Sequence, residues 1–226
     1  MPRRIVQLLV GLLMYGAGCA LTVRAGLGVD PWTVFAEGLS LHTGIGIGWI
    51  TNILGALVLL AWIPLRQKPG VGTLANVLIV GTSMQATLWL VPPIEGFGAQ
   101  FAVLMTGIGT VAVASGLYLG AHFGPGPRDG LMTGMHARWG WPIWLCRGGV
   151  ELTVLTAGWF LGGTVGIGTV LFAVLIGPLV QLALPILDVN ARGTRANRSP
   201  VSYESAAHSS PLPSSDTSRS PRRLRP

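Results

Sequence analysis

Charged side chains are scarce in this sequence. Asp, Glu, Lys and Arg make up 10% of the 226 residues while half are hydrophobic, too few charges to coat a soluble globule of this size. The mean hydropathy of +0.59 points to a membrane. Cysteine is nearly absent. Cys19 and Cys146 both sit inside apolar runs with no CxxC or His-Cys spacing, which excludes a disulfide framework or a zinc site and leaves helix-packing thiols. Catalytic constellations are missing too: before the Ser-rich tail the histidines have no Ser or Cys partner at helical spacing, and no HExxH occurs. No enzyme, cofactor or metal is expected. The glycine run Gly44-x-Gly46-x-Gly48 lacks the strand and Lys of a phosphate loop. The net charge of +7 does not signal nucleic acid, because 7 of the 15 Lys and Arg residues lie between Arg192 and Arg225. A basic tail facing a bilayer is the plainer reading.

What is present is a duplication. Gly124-Pro125-Gly126-Pro127-Arg128-Asp129-Gly130 reads as a break followed by a helix start, and 96 positions earlier stands Gly28-Val29-Asp30-Pro31-Trp32-Thr33-Val34. In the same ungapped register Leu8 meets Leu104, Gly11 meets Gly107, Gly38 meets Gly134, Gly44 meets Gly140, and Gly70-x-Gly72-Thr73 meets Gly166-x-Gly168-Thr169. Residues 5–91 and 101–187 share 19 identities, against roughly 7 expected by chance from so Gly- and Leu-rich a composition. Such internal symmetry marks transporter folds.

Each unit predicts three spans and one short helix. Residues of about 5–24, 48–65 and 73–91, then 101–120, 143–161 and 167–187, are long and apolar enough to cross a bilayer. Arg3-Arg4 before the first run resembles a secretory signal, but its repeat partner is internal, so the segment reads as a retained span. Asp30 as N-cap and Pro31 at the first position open a short helix that ends near Gly44, and Pro127 opens its counterpart. Thr33, Glu37 and Ser40 share one face of the first, and Asp129, Thr133 and His136 share one face of the second. These helices either lie at the interface or re-enter the membrane with the polar face lining a cavity.

The expected architecture is therefore an all-α membrane protein of six transmembrane helices in two inverted three-helix repeats, each with a short broken or re-entrant helix. The membrane domain covers residues 1–189 and a disordered basic Ser/Pro/Arg tail covers 190–226. Arg66 and Lys68 fall in one loop, Arg128 and Arg138 in another, and the links between the halves and at Gly162–Gly166 lack positive charge. That pattern predicts cytoplasmic N- and C-termini.

Ionisable residues at membrane depth are costly, so they are site candidates. Asp30, Glu37, Arg128, Asp129, Thr133 and His136 are the candidate lining for a small polar or charged solute, while Arg147 and Glu151, four apart, can neutralise each other within a span. That pair reads first as a lock on its own helix and second as part of a site. Arg24 and His122 are placed to snorkel to the surface.

Several of these segments together resemble the bacterial YczE/YyaS/YitT-type integral membrane proteins. They are Gly26-Leu27-Gly28-x-Asp30-Pro31-Trp32, Gly38-Leu39-Ser40, the Pro64–Gly70 loop, Gly124-x-Gly126-Pro127-Arg128-Asp129-Gly130 and Gly166-Ile167-Gly168-Thr169. The resemblance covers about 5–187 and implies a multispanning protein of the bacterial inner membrane, with the lipid bilayer as its partner. No segment matches the C-terminal soluble domain of some YitT-type relatives, which points to the YczE-like branch. It implies no substrate. Two functional classes stay open, a small-solute permease with its site between the repeats and a non-transporting scaffold or assembly partner.

Overall fold

The computed structural model describes residues 1–187, all helix and short connection with no strand among them. The expected tail lies outside the described residues. The helices are α1 (Pro2–Ala25), α2 (Pro31–Thr43), α3 (Ile47–Leu65), α4 (Val71–Leu90), α5 (Phe97–Gly120), α6 (Pro127–Trp139), α7 (Ile143–Phe160) and α8 (Ile167–Leu187). The starts of α2, α3 and α4 recur in α6, α7 and α8 at the 96-residue offset. The local causes recur as well. Pro stands at the first position of α2 and α6, and each ends on a left-handed glycine, Gly44 at φ 71° and Gly140 at φ 70°.

Five helices are long and apolar enough to cross a membrane: α1, α3, α4, α5 and α8. The sixth expected span, α7, forms where the sequence places it but is not among them. Its 18 residues include Arg147 and Glu151 and three glycines, which dilute its apolar character.

Packing obeys the same offset with the halves exchanged. α1 lies antiparallel to α5: a Cβ added to Gly107 would sit 2.8 Å from Thr22 Cγ2 and 3.0 Å from Gly18 O, and one added to Gly11 would sit 2.9 Å from Tyr118 N and 3.2 Å from Ala114 O. Adding 96 to one partner and subtracting it from the other turns the first set of contacts into the second. The same exchange relates Gly72 N donating to Phe123 O at 3.0 Å and Gly168 N donating to Leu27 O at 2.7 Å. It also relates Gly130 against Trp62 to Gly158 against Val34, and Gly38 against Leu161 to Gly134 against Leu65. Thus each short helix packs on the other half's helix, α2 along α7 and α6 along α3. The core between α1, α4, α5 and α8 holds Cys19, Met84, Leu104, Ile108, Val111 and Phe172.

Connections gather at two ends. At one, Arg4 Nε donates to Ala121 O at 3.1 Å and Gly72 N reaches Phe123 O. At the other, Ile94 N donates to Arg24 O at 3.2 Å and Val29 N to Thr164 O at 3.4 Å. Arg24 does not simply reach outward, since its guanidinium donates to Leu88 O, one of the carbonyls freed at the C-terminus of α4. Gly28 (φ 105°) and Gly124 (φ 119°) make equivalent backbone approaches at opposite ends, to Gly166 and Gly70. A side chain at either position would be strained by the dihedral as well as by the neighbour.

The exchange fails in one place. α3 and α4 are sealed together, with Gly48 against the Gly81 carbonyl, Gly48 N donating to Gln85 Oε1 at 3.1 Å and Asn52 Nδ2 donating to Thr82 Oγ1 at 3.0 Å. α7 and α8 do not pack along each other. Their residues at those positions are Trp144 for Gly48, Gly148 for Asn52 and Pro178 for Thr82. A bulky ring replaces the small residue and a ring without a hydroxyl replaces the hydrogen-bond partner.

Close helix approach through small residues sets a stability expectation. A Cβ on Gly16 would meet Val80 O and Met84 N, both backbone, whereas a Cβ on Gly109 meets nothing within 4 Å. Gly16→Ala should destabilise the detergent-purified protein by about 1–3 kcal/mol through overpacking, and Gly109→Ala should be neutral or gain up to about 1 kcal/mol from helix propensity. Thermal unfolding of the two variants side by side checks this.

Candidate functional site

The buried starts of α2 and α6 converge on one cavity of about 460 Å³ to which all eight helices contribute. In both short helices the first turn is buried or half-buried and the last turn exposed. Asp30 caps α2, accepting from Thr33 N at 3.4 Å and from the Thr33 hydroxyl. The side chain of Asp30 is only 4% exposed, so its charge needs a partner, and Arg128 Nη1 of α6 supplies one at 3.2 Å. Arg128 in turn lies 4.9 Å over the ring of Trp32, a cation-π contact. Positions 32 and 128 are equivalents in the 96-residue register, so the site sits where the two halves meet.

Most of the lining comes in such pairs. Pro31 and Pro127, Thr51 and Arg147, Gly55 and Glu151, Asn76 and Phe172, Val80 and Ile176 all face the same space. The chemistry is less symmetric than the placement. Asp129, in the first turn of α6, accepts from Tyr118 Oη at 2.9 Å and has no cationic partner among the described residues. Arg147 and Glu151 pair at 3.1 Å along α7, with side chains 58% and 37% exposed, on the side where α7 and α8 stand apart. Three carboxylates and two guanidiniums therefore line the cavity, one negative charge in excess.

Two unmet donors also belong here. The indole Nε1 of Trp32, a residue 7% exposed, has no acceptor among the described residues. The α6 N-terminus has Gly126 at the cap and no side-chain cap, so its first N–H groups lack intrahelical partners. Above it Trp62 Nε1 donates to Pro127 O at 3.0 Å and holds the start of α6 against α3.

Of the sequence candidates, Asp30, Arg128, Asp129, Arg147 and Glu151 line the cavity. Glu37 is not among the lining residues; it accepts from Thr164 N at 2.7 Å and Thr164 Oγ1 at 2.9 Å and so pins the α7–α8 turn to α2. Thr133 turns back to Gly130 O at 3.2 Å, and His136 Nδ1 contacts Trp141 O at 2.6 Å, both on the exposed part of α6. Trp32, Tyr15 and Tyr118 line the cavity unforeseen. The register could have found Trp32, since it stands at the position of Arg128. Nothing local in the sequence marks Tyr15 or Tyr118.

Removing one member of a buried pair strands the other's charge. Arg128→Gln should cost about 3 kcal/mol of stability in detergent, and adding Asp30→Asn, which keeps the cap, should restore part of it, with a coupling of about 1–3 kcal/mol. Arg147→Gln should cost less, because its partner is more than a third exposed. A denaturation series on Arg128→Gln, Asp30→Asn, their double variant and Arg147→Gln measures these differences.

No solved structure matches the chain. Residues 2–185 match the model of a family of unknown function, DUF6198. A protein of Haemophilus influenzae, described as an uncharacterized protein, is 38% identical over 180 residues, 80% of this chain and 83% of its own. The Bacillus subtilis "Uncharacterized membrane protein YczE" is 33% identical over 77% of this chain and 82% of its own length, and the B. subtilis protein YyaS is 29% identical over 79% and 91%. With its apolar helices of spanning length and these relatives, the chain belongs to the DUF6198 family and is a membrane protein of the YczE/YyaS type.

Proposed function

We propose that the protein is a small-solute permease whose site is the cavity between two inverted repeats. The observation that carries this reading is the position of the cavity: it is lined by equivalent residues of both halves and holds the buried starts of two short helices. Discontinuous helices that bring dipole ends and free backbone groups to the middle of the membrane are how inverted-repeat transporters hold a charged solute.

Four features support the inversion. α1 and α5 are antiparallel, and the turns near 24–29, 94 and 164 gather at one end while those near 4, 70 and 123 gather at the other. α2 runs parallel to α7 and α6 parallel to α3, so each short helix returns to the end from which its segment entered. In this reading both short helices are re-entrant. Arg3, Arg4, Arg66 and Lys68 all belong to the end of the N-terminus, which makes that end cytoplasmic in a bacterial inner membrane. In this reading α7 is the sixth span, tolerated despite its charges because Arg147 and Glu151 neutralise each other at the cavity.

Solute access is through the unsealed α7–α8 side, since the α3–α4 side of the cavity is closed by buried Val58, Val77, Val80 and Gly81.

Two measurements test this. Single cysteines should label from the cytoplasmic side at position 68 and from the outside at position 95; labelling of both from one side would rule out the inversion. In proteoliposomes the protein should catalyse saturable flux of a small polar solute that Asp129→Asn reduces at least tenfold without loss of protein. Flux that no member of a chemically broad solute panel elicits, with a partner protein that instead co-purifies, would replace the permease with a scaffold.

A further inference from the structure

We propose that the end of the molecule that carries the N-terminus is a binding surface for anionic phospholipid headgroups, built from Arg4 of α1, Arg66 and Lys68 of the α3–α4 loop and Arg138 of α6. The surface lies outside the cavity, and the proposal stands whether or not the protein transports a solute.

A chain of contacts joins these residues into one strip. Arg4 Nε donates to Ala121 O at 3.1 Å, and the Arg4 guanidinium lies 5.7 Å over the Phe123 ring. Phe123 O accepts from Gly72 N at 3.0 Å, just beyond the loop that holds Arg66 and Lys68. A Cβ on Gly134 would lie 2.9 Å from Gln67 Cγ and 3.2 Å from Leu65 Cβ. The last turns of α6 therefore pass beside the same loop, and Arg138 stands one helical turn further along that face. Arg66, Lys68 and Arg138 are exposed and have no carboxylate partner among the described residues. None is within reach: Asp30, Asp129 and Glu151 line the cavity, and Glu37 and Glu95 lie at the opposite end, beside Thr164 and Ile94. Like charges gathered without a counter-charge favour an anion from outside.

The duplication supplies a control for what the fold itself needs. On exchange of the halves Arg4 corresponds to Gln100, Arg66 to Gly162, Lys68 to Thr164 and Arg138 to His42. The backbone matches at the two ends, since the bond from Gly72 N to Phe123 O repeats as that from Gly168 N to Leu27 O. The opposite end thus closes with no Lys or Arg at these positions. Arg66 even holds a left-handed conformation, φ 54°, at the place where Gly162 has φ 86°. Glycine takes that region freely and other residues uncommonly, so a cation kept there points to a role outside the fold.

The surroundings name the anion. Ile63 and Val71, which flank the loop, are exposed, and so are Trp139 and Trp141, whose rings lie 5.5 Å apart where α6 ends. Apolar side chains below a row of cations, with indoles beside them, match the acyl chains and headgroups of one leaflet. A soluble polyanion would meet the cations and leave the apolar flank uncovered. Cations at this end also set orientation during insertion. That role ends once the protein is inserted, whereas headgroup binding persists in the purified protein.

The test uses full-length purified protein. In mixed micelles holding equal amounts of phosphatidylglycerol and phosphatidylcholine, native mass spectrometry should find the anionic lipid retained over the neutral one by at least about tenfold. In nanodiscs of phosphatidylglycerol the protein should melt about 3–6 °C higher than in phosphatidylcholine, and the difference should shrink as salt is raised. The triple variant Arg66→Gly, Lys68→Thr, Arg138→Gln carries at two positions the other half's own residues, so it should fold while losing most of both preferences. If the triple variant does not insert, Arg66→Gly alone, which relaxes the left-handed position, should still lower the retention of phosphatidylglycerol about fivefold. Neutralising Arg222, Arg223 and Arg225 instead should leave both preferences in place. Equal retention of the two lipids by the parent, a preference that survives the loop and α6 substitutions, or one lost only with the Arg222, Arg223 and Arg225 substitutions would overturn the proposal.

Discussion

The structure depends on burying two helix starts face to face. α2 and α6 each bring the positive end of a helix dipole into the interior, where N–H groups left over from the first turn need partners. Asp30 answers this at α2 as a cap, and its charge is then held by Arg128 from α6. One carboxylate thus satisfies a helix end of its own half and a guanidinium of the other. The pair joins the halves through an interaction that neither half could make alone. Trp62, reaching from α3 to Pro127 O, and Glu37, reaching from α2 to Thr164, extend the same cross-linking toward the two ends.

Exchange of short helices between halves makes this geometry stable. α2 has little apolar surface beyond one stripe and is too short to span, yet it finds a groove on α7 where Gly38 and Gly158 remove the bulk. α6 finds the equivalent groove on α3, with Gly130 against Trp62 and Gly134 against Leu65. In the absence of a hydrophobic force between helices within lipid, van der Waals contact at small residues is what holds such packing. Matched glycines at these contacts, Gly11 with Gly107, Gly38 with Gly134 and Gly72 with Gly168, leave no room for a Cβ.

Much of the helical layout was legible because the causes are local. Pro at a first helical position, glycine at a C-terminus and a span-length apolar run each act within a few residues, and the 96-residue register copied them onto the second half. Even the ion pair Arg147–Glu151 followed from helical spacing. The site was legible only in part. Asp129, Thr133 and His136 share a helix face, but only the first turn of α6 reaches the cavity; depth along the axis, not the face, decides. Glu37 was equally visible and equally ambiguous, since its bond to Thr164 crosses from one half to the other. No periodicity encodes which half a helix packs on.

The 96-residue register pairs most lining positions, and the members of a pair differ in chemistry. Gly126 has lost the cap that Asp30 keeps, Arg128 replaces Trp32, and Arg147 and Glu151 replace Thr51 and Gly55. Three of these changes put a charged side chain on the second half where the first half is uncharged, and the fourth leaves the start of α6 open where Asp30 closes that of α2. The same half carries Trp144 and Pro178 where α3 and α4 have the Gly48 and Thr82 that seal them. Charge at the cavity and a loosened α7–α8 pair therefore arise on one side of the duplication. In the permease reading these two divergences belong together: four of the five charged side chains that line the cavity, and the open α7–α8 side, lie on the second half.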